Sequence, residues 1–143
     1  MRSHFSKLAV LGLAVLAAET ASAEDFLARL GRAPVDSRNQ ASVTGIGKAT
    51  AELDGNRLRI EGSYEGLQAP ATVANLHLGA AVGARGPIIH ALELTAGVDG
   101  SIRGNLRLSQ TEVDALKAGR LYIQIDSEAA AEGNLWGWLL ADD

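Results

Sequence analysis

The chain has 143 residues, 13 Lys and Arg against 17 Asp and Glu, a formal charge of −4, and no cysteine. Its 47% hydrophobic content supports one modest core and argues against intrinsic disorder. The missing cysteines exclude a disulfide scaffold and a thiolate-held zinc or iron–sulfur centre, and the acidic balance argues against a nucleic-acid binder.

The first 23 residues read as an address. Arg2 and Lys7 precede an apolar run from Leu8 to Ala18, and Ala21-Ser22-Ala23 offers a small-x-small cleavage site. This is the layout of a secretory signal peptide cut after Ala23. The apolar run is too short for a membrane anchor, which needs about 20 residues. The expectation is a 1–23 signal and a 24–143 domain, acidic, exported to the periplasm or the medium of a bacterium, with no membrane span after cleavage.

Downstream, short alternating segments follow one another. Phe26 to Arg32 predicts a strand with Phe26, Ala28 and Leu30 on one face. Ala33 to Val43 is polar and contains Pro34, so it predicts a loop. Gly45 to Leu53 and Arg57 to Tyr64 flank Asp54-Gly55-Asn56, a hairpin signal, since glycine accepts the positive φ of a tight turn. Leu58 and Ile60 alternate with charged neighbours and point inward. Thr72 to Gly79 and Pro87 to Thr95 predict two more strands, separated by the small-residue loop Ala80 to Gly86. Ser101 to Leu108 alternates again. Ser109 and Glu112 form a capping box that starts a helix over about 109–118, ended by Gly119. Leu121 to Ile125 and Leu135 to Leu140 predict the last strands, joined by a Glu128 to Asn134 loop of solvated charges. The fold class is all-β: an antiparallel Greek-key sandwich or barrel of about eight strands with one short helix.

This order of segments resembles the CHRD domain, the module named after chordin. The resemblance runs from Phe26-Leu27-Ala28-Arg29-Leu30 through Thr44-Gly45-Ile46-Gly47-Lys48-Ala49, Ala74-Asn75-Leu76-His77-Leu78-Gly79 and Arg85-Gly86-Pro87-Ile88-Ile89 to Leu121-Tyr122-Ile123-Gln124-Ile125 and Gly133-Asn134-Leu135-Trp136-Gly137. It implies a β-sandwich with no established catalytic activity. The element order also resembles, by analogy, the copper–zinc superoxide dismutase barrel, where a His-x-His strand and a late histidine hold copper. Here the first family histidine is Asn75, His77 remains, and the late one is Asp126. A metal set, if there is one, would be His77, Asp126 and His90, poor for copper and tolerable for zinc. The structural alternative makes His77 a hydrogen-bonded surface residue and His90, in phase with Ile88 and Leu92, a packed one.

Strand parity sorts the other side chains. Leu76 and Leu78 face one way, Asn75 and His77 the other. Leu121, Ile123 and Ile125 point inward, leaving Tyr122, Gln124 and Asp126 outside, and Leu135, Gly137 and Leu139 oppose Trp136, Trp138 and Leu140. One outer face would then carry Trp136, Trp138, Tyr122, Gln124, Asn75 and His77. Either the chain itself covers the indoles (through the first strand, the Ala80–Arg85 loop or the helix), or they meet a partner, as interface hot spots do. No Gly-x-Ser-x-Gly elbow is present, and Gly45-x-Gly47 precedes a strand, so it predicts a close strand approach rather than a dinucleotide loop. The expectation is a non-enzymatic, cofactor-free binding or envelope-assembly module whose partner is a protein or glycan of the cell envelope. The rival is a metal-binding protein or dismutase-like enzyme with a degenerate histidine site.

Overall fold

A computed structural model describes residues 23–142. The signal sequence expected over residues 1–23 lies outside them except for Ala23. The elements follow as β1 (Glu24–Arg32), β2 (Ile46–Asp54), β3 (Arg57–Glu65), β4 (Ala71–Leu78), β5 (Ile88–Leu94), β6 (Gly100–Arg107), α1 (Gln110–Lys117), β7 (Leu121–Ser127), β8 (Ala130–Trp138) and β9 (Leu140–Ala141). Every strand pairs antiparallel, in the order β2-β3-β6-β5-β4-β7-β8-β1-β9, and β1 also pairs with β2. The sheet therefore closes into an eight-stranded barrel, which removes the free edges of an open sheet. β4, β5 and β6 are consecutive neighbours, and β7 returns through α1 to lie beside β4, which is a Greek key.

Two strands turn the corners. β1 pairs with β2 over Glu24–Leu30 and with β8 through Gly31 and Arg32. β5 pairs with β4 from Ile88 to Leu92 and with β6 through Glu93 and Leu94. The extra strand, β9, continues β8 in the same register along β1, with Gly31 opposite Trp136 and Leu27 opposite Leu140. Between them Leu139 is fully buried and donates its N–H to Leu121.

Alternation fills the interior with aliphatics. Leu30, Leu58, Ile60, Leu76, Ile123 and Leu135 are fully buried, and of the rings in the core only Phe26 and Tyr64 point inward. The strands approach so closely that glycine is obligatory at places. A Cβ on Gly62 would lie 2.7 Å from the Lys48 carbonyl oxygen, and one on Gly137 would collide with the Arg29 carbonyl. α1 closes one end of the barrel with Val113, Ala115 and Leu116. Its capping box forms as expected, and Arg120 and Gly119 donate to Ala115 and Leu116, closing a Schellman turn. His90 Nε2 lies 2.9 Å from Glu112 Oε1, so β5 is tied to the same cap.

Three expectations are corrected. The Glu128–Asn134 loop is mostly strand: β7 runs to Ser127, a tight turn follows, and β8 begins at Ala130. β8 also ends at Trp138, not Leu140. Ile88 does not share an inward face with Leu92, because the pairing of β4 with β5 slips between Leu76 and His77. That bulge leaves Ile88 exposed and turns Ile89 toward the core. The last strand pair owes its extension to a buried polar network that apolar periodicity does not register. Ser127 Oγ donates to Asn134 Oδ1 at 2.7 Å and accepts from Ala130 N–H, while Asn134 Nδ2 donates to the Thr44 carbonyl at 2.8 Å.

Both Ser127 and Asn134 are completely buried. Asn134→Ala strands the Thr44 carbonyl and the Ser127 hydroxyl, so it should lower the unfolding free energy by roughly 2 kcal/mol in urea titrations. A variant as stable as the parent would show that the network contributes nothing.

Candidate functional site

The pleat of β7 and β8 places aliphatics inside and rings outside. Tyr122 pairs with Trp138 across β7 and β8, Gln124 with Trp136, and His77 with Tyr122 across β4 and β7. The rings make one packed cluster on the outside of the barrel. Tyr122 stacks on His77 at 4.7 Å and 16°, and meets Trp138 at 4.5 Å and Trp136 at 5.7 Å. The two indoles meet edge to face at 5.8 Å.

The loop between β4 and β5 covers half of this cluster. Gly86 N–H donates to the Tyr122 hydroxyl at 3.0 Å, and that hydroxyl donates back to the Gly86 carbonyl. His77 Nδ1 donates to the same carbonyl at 2.9 Å, which puts its proton on Nδ1. A Cβ on Gly86 would overlap the Leu78 carbonyl, so no other residue lets the loop descend this far. Arg120 holds the loop's start through two bonds to the Gly79 carbonyl. Arg85 lies over the Trp136 ring at 5.4 Å and reaches Gln124 Oε1 and the Glu132 carbonyl at 3.4 Å.

The outcome is graded exposure. Tyr122, Gln124 and His77 share the face assigned by parity but are buried, at 1%, 7% and 8% exposure. Trp136, Trp138 and Asn75 remain partly open. Val82 and Leu140 extend the open part at 57% and 49% exposure, and both lie within contact of the space above Gly119. A groove of about 280 Å³ runs beside Trp138, between Leu27, Arg29, Leu140 and Ala141. A cleft of about 530 Å³ between Ile46, Lys48, Tyr64, Glu65 and Asp99 touches none of these rings.

The conceivable metal set does not assemble. His77 is committed to Tyr122 and Gly86, and His90 pairs with inward-facing Leu76 and bonds Glu112. Asp126 is four residues along β7 from the partner of His77, roughly 13 Å of strand. Among the described residues no group of three or more His, Asp or Glu is close enough to share an ion. Sequence reasoning missed Arg85 and Arg120 as the fasteners of the covering loop. The signal was there for Arg85, the one charge in the run Gly79 to Gly86.

The profile of the CHRD domain matches residues 26–139. The chain belongs to the CHRD family. No curated protein and no solved structure matches it. In this CHRD domain the match begins in β1 and ends at Leu139, so the barrel and the outer ring cluster both lie within it.

One titratable group of the CHRD domain sits under strain beside the rings. Burial raises the pKa of Asp126 above the usual carboxylate range, opposed by the 2.9 Å bond from Gln124 Nε2 and by the charges of His77 and Arg85. A carboxyl raised on folding favours the folded state while protonated. That contribution is complete below about pH 4, the unfolded range, and is lost as the pH climbs through the raised value. Asp126→Asn keeps an oxygen for Gln124 and removes the charge. It should raise Tm by roughly 2 °C at about pH 7 and leave it unchanged at about pH 3, read by differential scanning calorimetry. A variant that melts earlier at neutral pH would mean that the charge itself is needed.

Proposed function

We propose that this CHRD domain is a non-catalytic, exported binding module, and that its outer face around Trp136 and Trp138 receives a protein of the cell envelope. The observation that carries the reading is the placement of both indoles outside the barrel, immobilised by Tyr122 and His77 yet partly open. Rigid aromatic side chains lose little entropy on binding and bury much apolar area, which is the make-up of an interface hot spot.

The neighbours favour a protein over a glycan. A sugar needs free hydrogen-bonding groups beside its aromatic platform. Here Gln124, the Tyr122 hydroxyl and His77 Nδ1 are spent on internal bonds. What stands open nearest Trp138 is aliphatic, Leu140 and Val82, with Arg29, Arg85 and Asp142 at the rim and the amide of Asn75 farther off, beyond Gln124. An apolar centre with a polar rim is the usual anatomy of a protein contact. Export is supported by the Arg2 to Ala23 layout. Absence of catalysis is supported by family membership, whose members are generally non-enzymatic.

The test is site-specific photocrosslinking in the source cells, with the probe at Val82, at Leu140, or at Asn105 on the opposite face. Probes at Val82 and Leu140 should join one and the same envelope protein, and the Asn105 probe should not. Trp138→Ala, confirmed as folded by circular dichroism, should weaken that adduct at least tenfold, a loss typical of a central hot-spot aromatic. Equal adducts from all three positions, or an adduct indifferent to Trp138, would remove the reading.

A further inference from the structure

The expected cut after Ala23 falls at the edge of the barrel itself. Ala21-Ser22-Ala23 supplies the small-x-small site, and β1 begins at Glu24, the very next residue. No spacer separates the bond from the sheet. Glu24 is already in register with Leu53, and Asp25 with Glu52. On the other edge of β1, the Asp25 carbonyl accepts from Asp142 N–H at 2.9 Å, and Phe26 and Leu27 pair with Ala141 and Leu140. Glu24 also meets Lys117 of α1 at 3.3 Å. β1 is the strand that joins β2 to β8, so the barrel is closed only while β1 is in place. Phe26, Ala28 and Leu30 of β1 are part of the core.

We propose that the Ala23–Glu24 bond is a processing site open to a signal peptidase only before β1 closes the barrel, so that removal of residues 1–23 precedes closure. The inference rests on the export reading above. Hydrolysis adds one water across the bond, leaving a carboxylate on Ala23 and an ammonium group on Glu24. A protease that binds its substrate as an extended strand needs the backbone groups flanking the bond, and needs them free. In the closed barrel β2 holds one edge of Glu24 and Asp25, and Asp142 holds the other edge of Asp25. Local opening of the strand end releases little. Freeing Glu24 and Asp25 yields roughly 7 Å of chain, and the next residue, Phe26, has its ring in the core. The protease must then seat its cleft against the barrel wall or draw Phe26 out. Before closure neither obstacle exists. Release of the cut end lets β1 take the open edges of β2 and β8 together.

The test uses the full-length chain in detergent micelles with a purified signal peptidase, beside a form carrying Gly-Ser-Gly-Ser between Ala23 and Glu24, which sets the bond about 13 Å from the sheet. Resistance of the domain to trypsin reports closure, with the cut chain as the control. Each form is also made with Gly137→Val, whose Cβ collides with the Arg29 carbonyl and keeps β1 from docking. Should that variant still become trypsin-resistant, Phe26→Asp replaces it, by placing a charge in the core. The closed parent should be cut at least about tenfold more slowly than the closed spacer form, and the two should be cut equally once the barrel is held open. A parent that stays trypsin-sensitive until it is cut, in micelles where the cut chain is resistant, also places cleavage before closure. Equal rates for the two closed forms overturn the inference. So does a difference that persists in the open pair, because the peptidase would then be reading the inserted residues. If no form is cut, open ones included, it is the export reading that fails.

Discussion

The narrow bore of this barrel governs the rest of the molecule. At Gly62 and Gly137 the carbonyl of the adjacent strand (Lys48 on β2, Arg29 on β1) already occupies the space a Cβ would need, so neighbouring strands coil tightly where they close the barrel. Such a cavity holds Leu, Ile and Ala in layers, and holds few rings. Phe26 and Tyr64 are accommodated, and Tyr64 only by sending its hydroxyl out to the carbonyls of Thr95 and Gly97. Tyr122, Trp136 and Trp138 belong to strands whose inward positions are Ile123, Leu135 and Gly137. Their rings have only the outside to occupy.

A ring outside a barrel would normally stand in water, and the chain moves its own loop over part of the cluster. The covering is specific rather than greasy. The run Gly79 to Gly86 contributes little apolar area, and it is placed by hydrogen bonds from Tyr122, His77 and Arg120 to the backbone of Gly79 and Gly86. Buried groups on the outer face are therefore satisfied before any partner arrives, and no buried side-chain donor or acceptor among the described residues lacks a partner. A partner of the kind proposed would gain from a surface already ordered, which lowers the entropy cost of binding. It would meet chiefly indole and aliphatic carbon, with Tyr122, His77 and Gln124 behind them.

Much of this was legible in the sequence, for reasons that differ by element. Period-two alternation fixed the faces of β1, β3 and β7, because Phe26-x-Ala28-x-Leu30 and Leu121-x-Ile123-x-Ile125 admit one inward set. Ser109 and Glu112 announced α1, since a capping box is local chemistry. The Glu128–Asn134 segment was not legible. Its strand character rests on Asn134 bonding Thr44, a contact 90 residues apart in the chain. Ile88 was misplaced because a bulge breaks the period it was counted on. The outer cluster was legible as a set of residues sharing a face, but not as a graded one. Which of them are open depends on where a loop of small residues lies, and neither Ala80 nor Val82 signals that from its own side chain. The signal lay in Gly86, whose missing Cβ permits the descent.

Placing the rings outside also separates two requirements that compete in most small domains. A binding residue drawn from a core cannot change without opening a cavity, at a cost of about 3–5 kcal/mol for a large aromatic. Trp136 and Trp138 touch one another, Tyr122 and Arg85, and the layer of Leu121, Ile123 and Leu135 is on the far side of the same strands. The strands hold their positions through the ladder and the inward aliphatics, whichever side chain points outward. The barrel is then a frame, and the aromatic face over β7 and β8 is carried on it rather than built into its core.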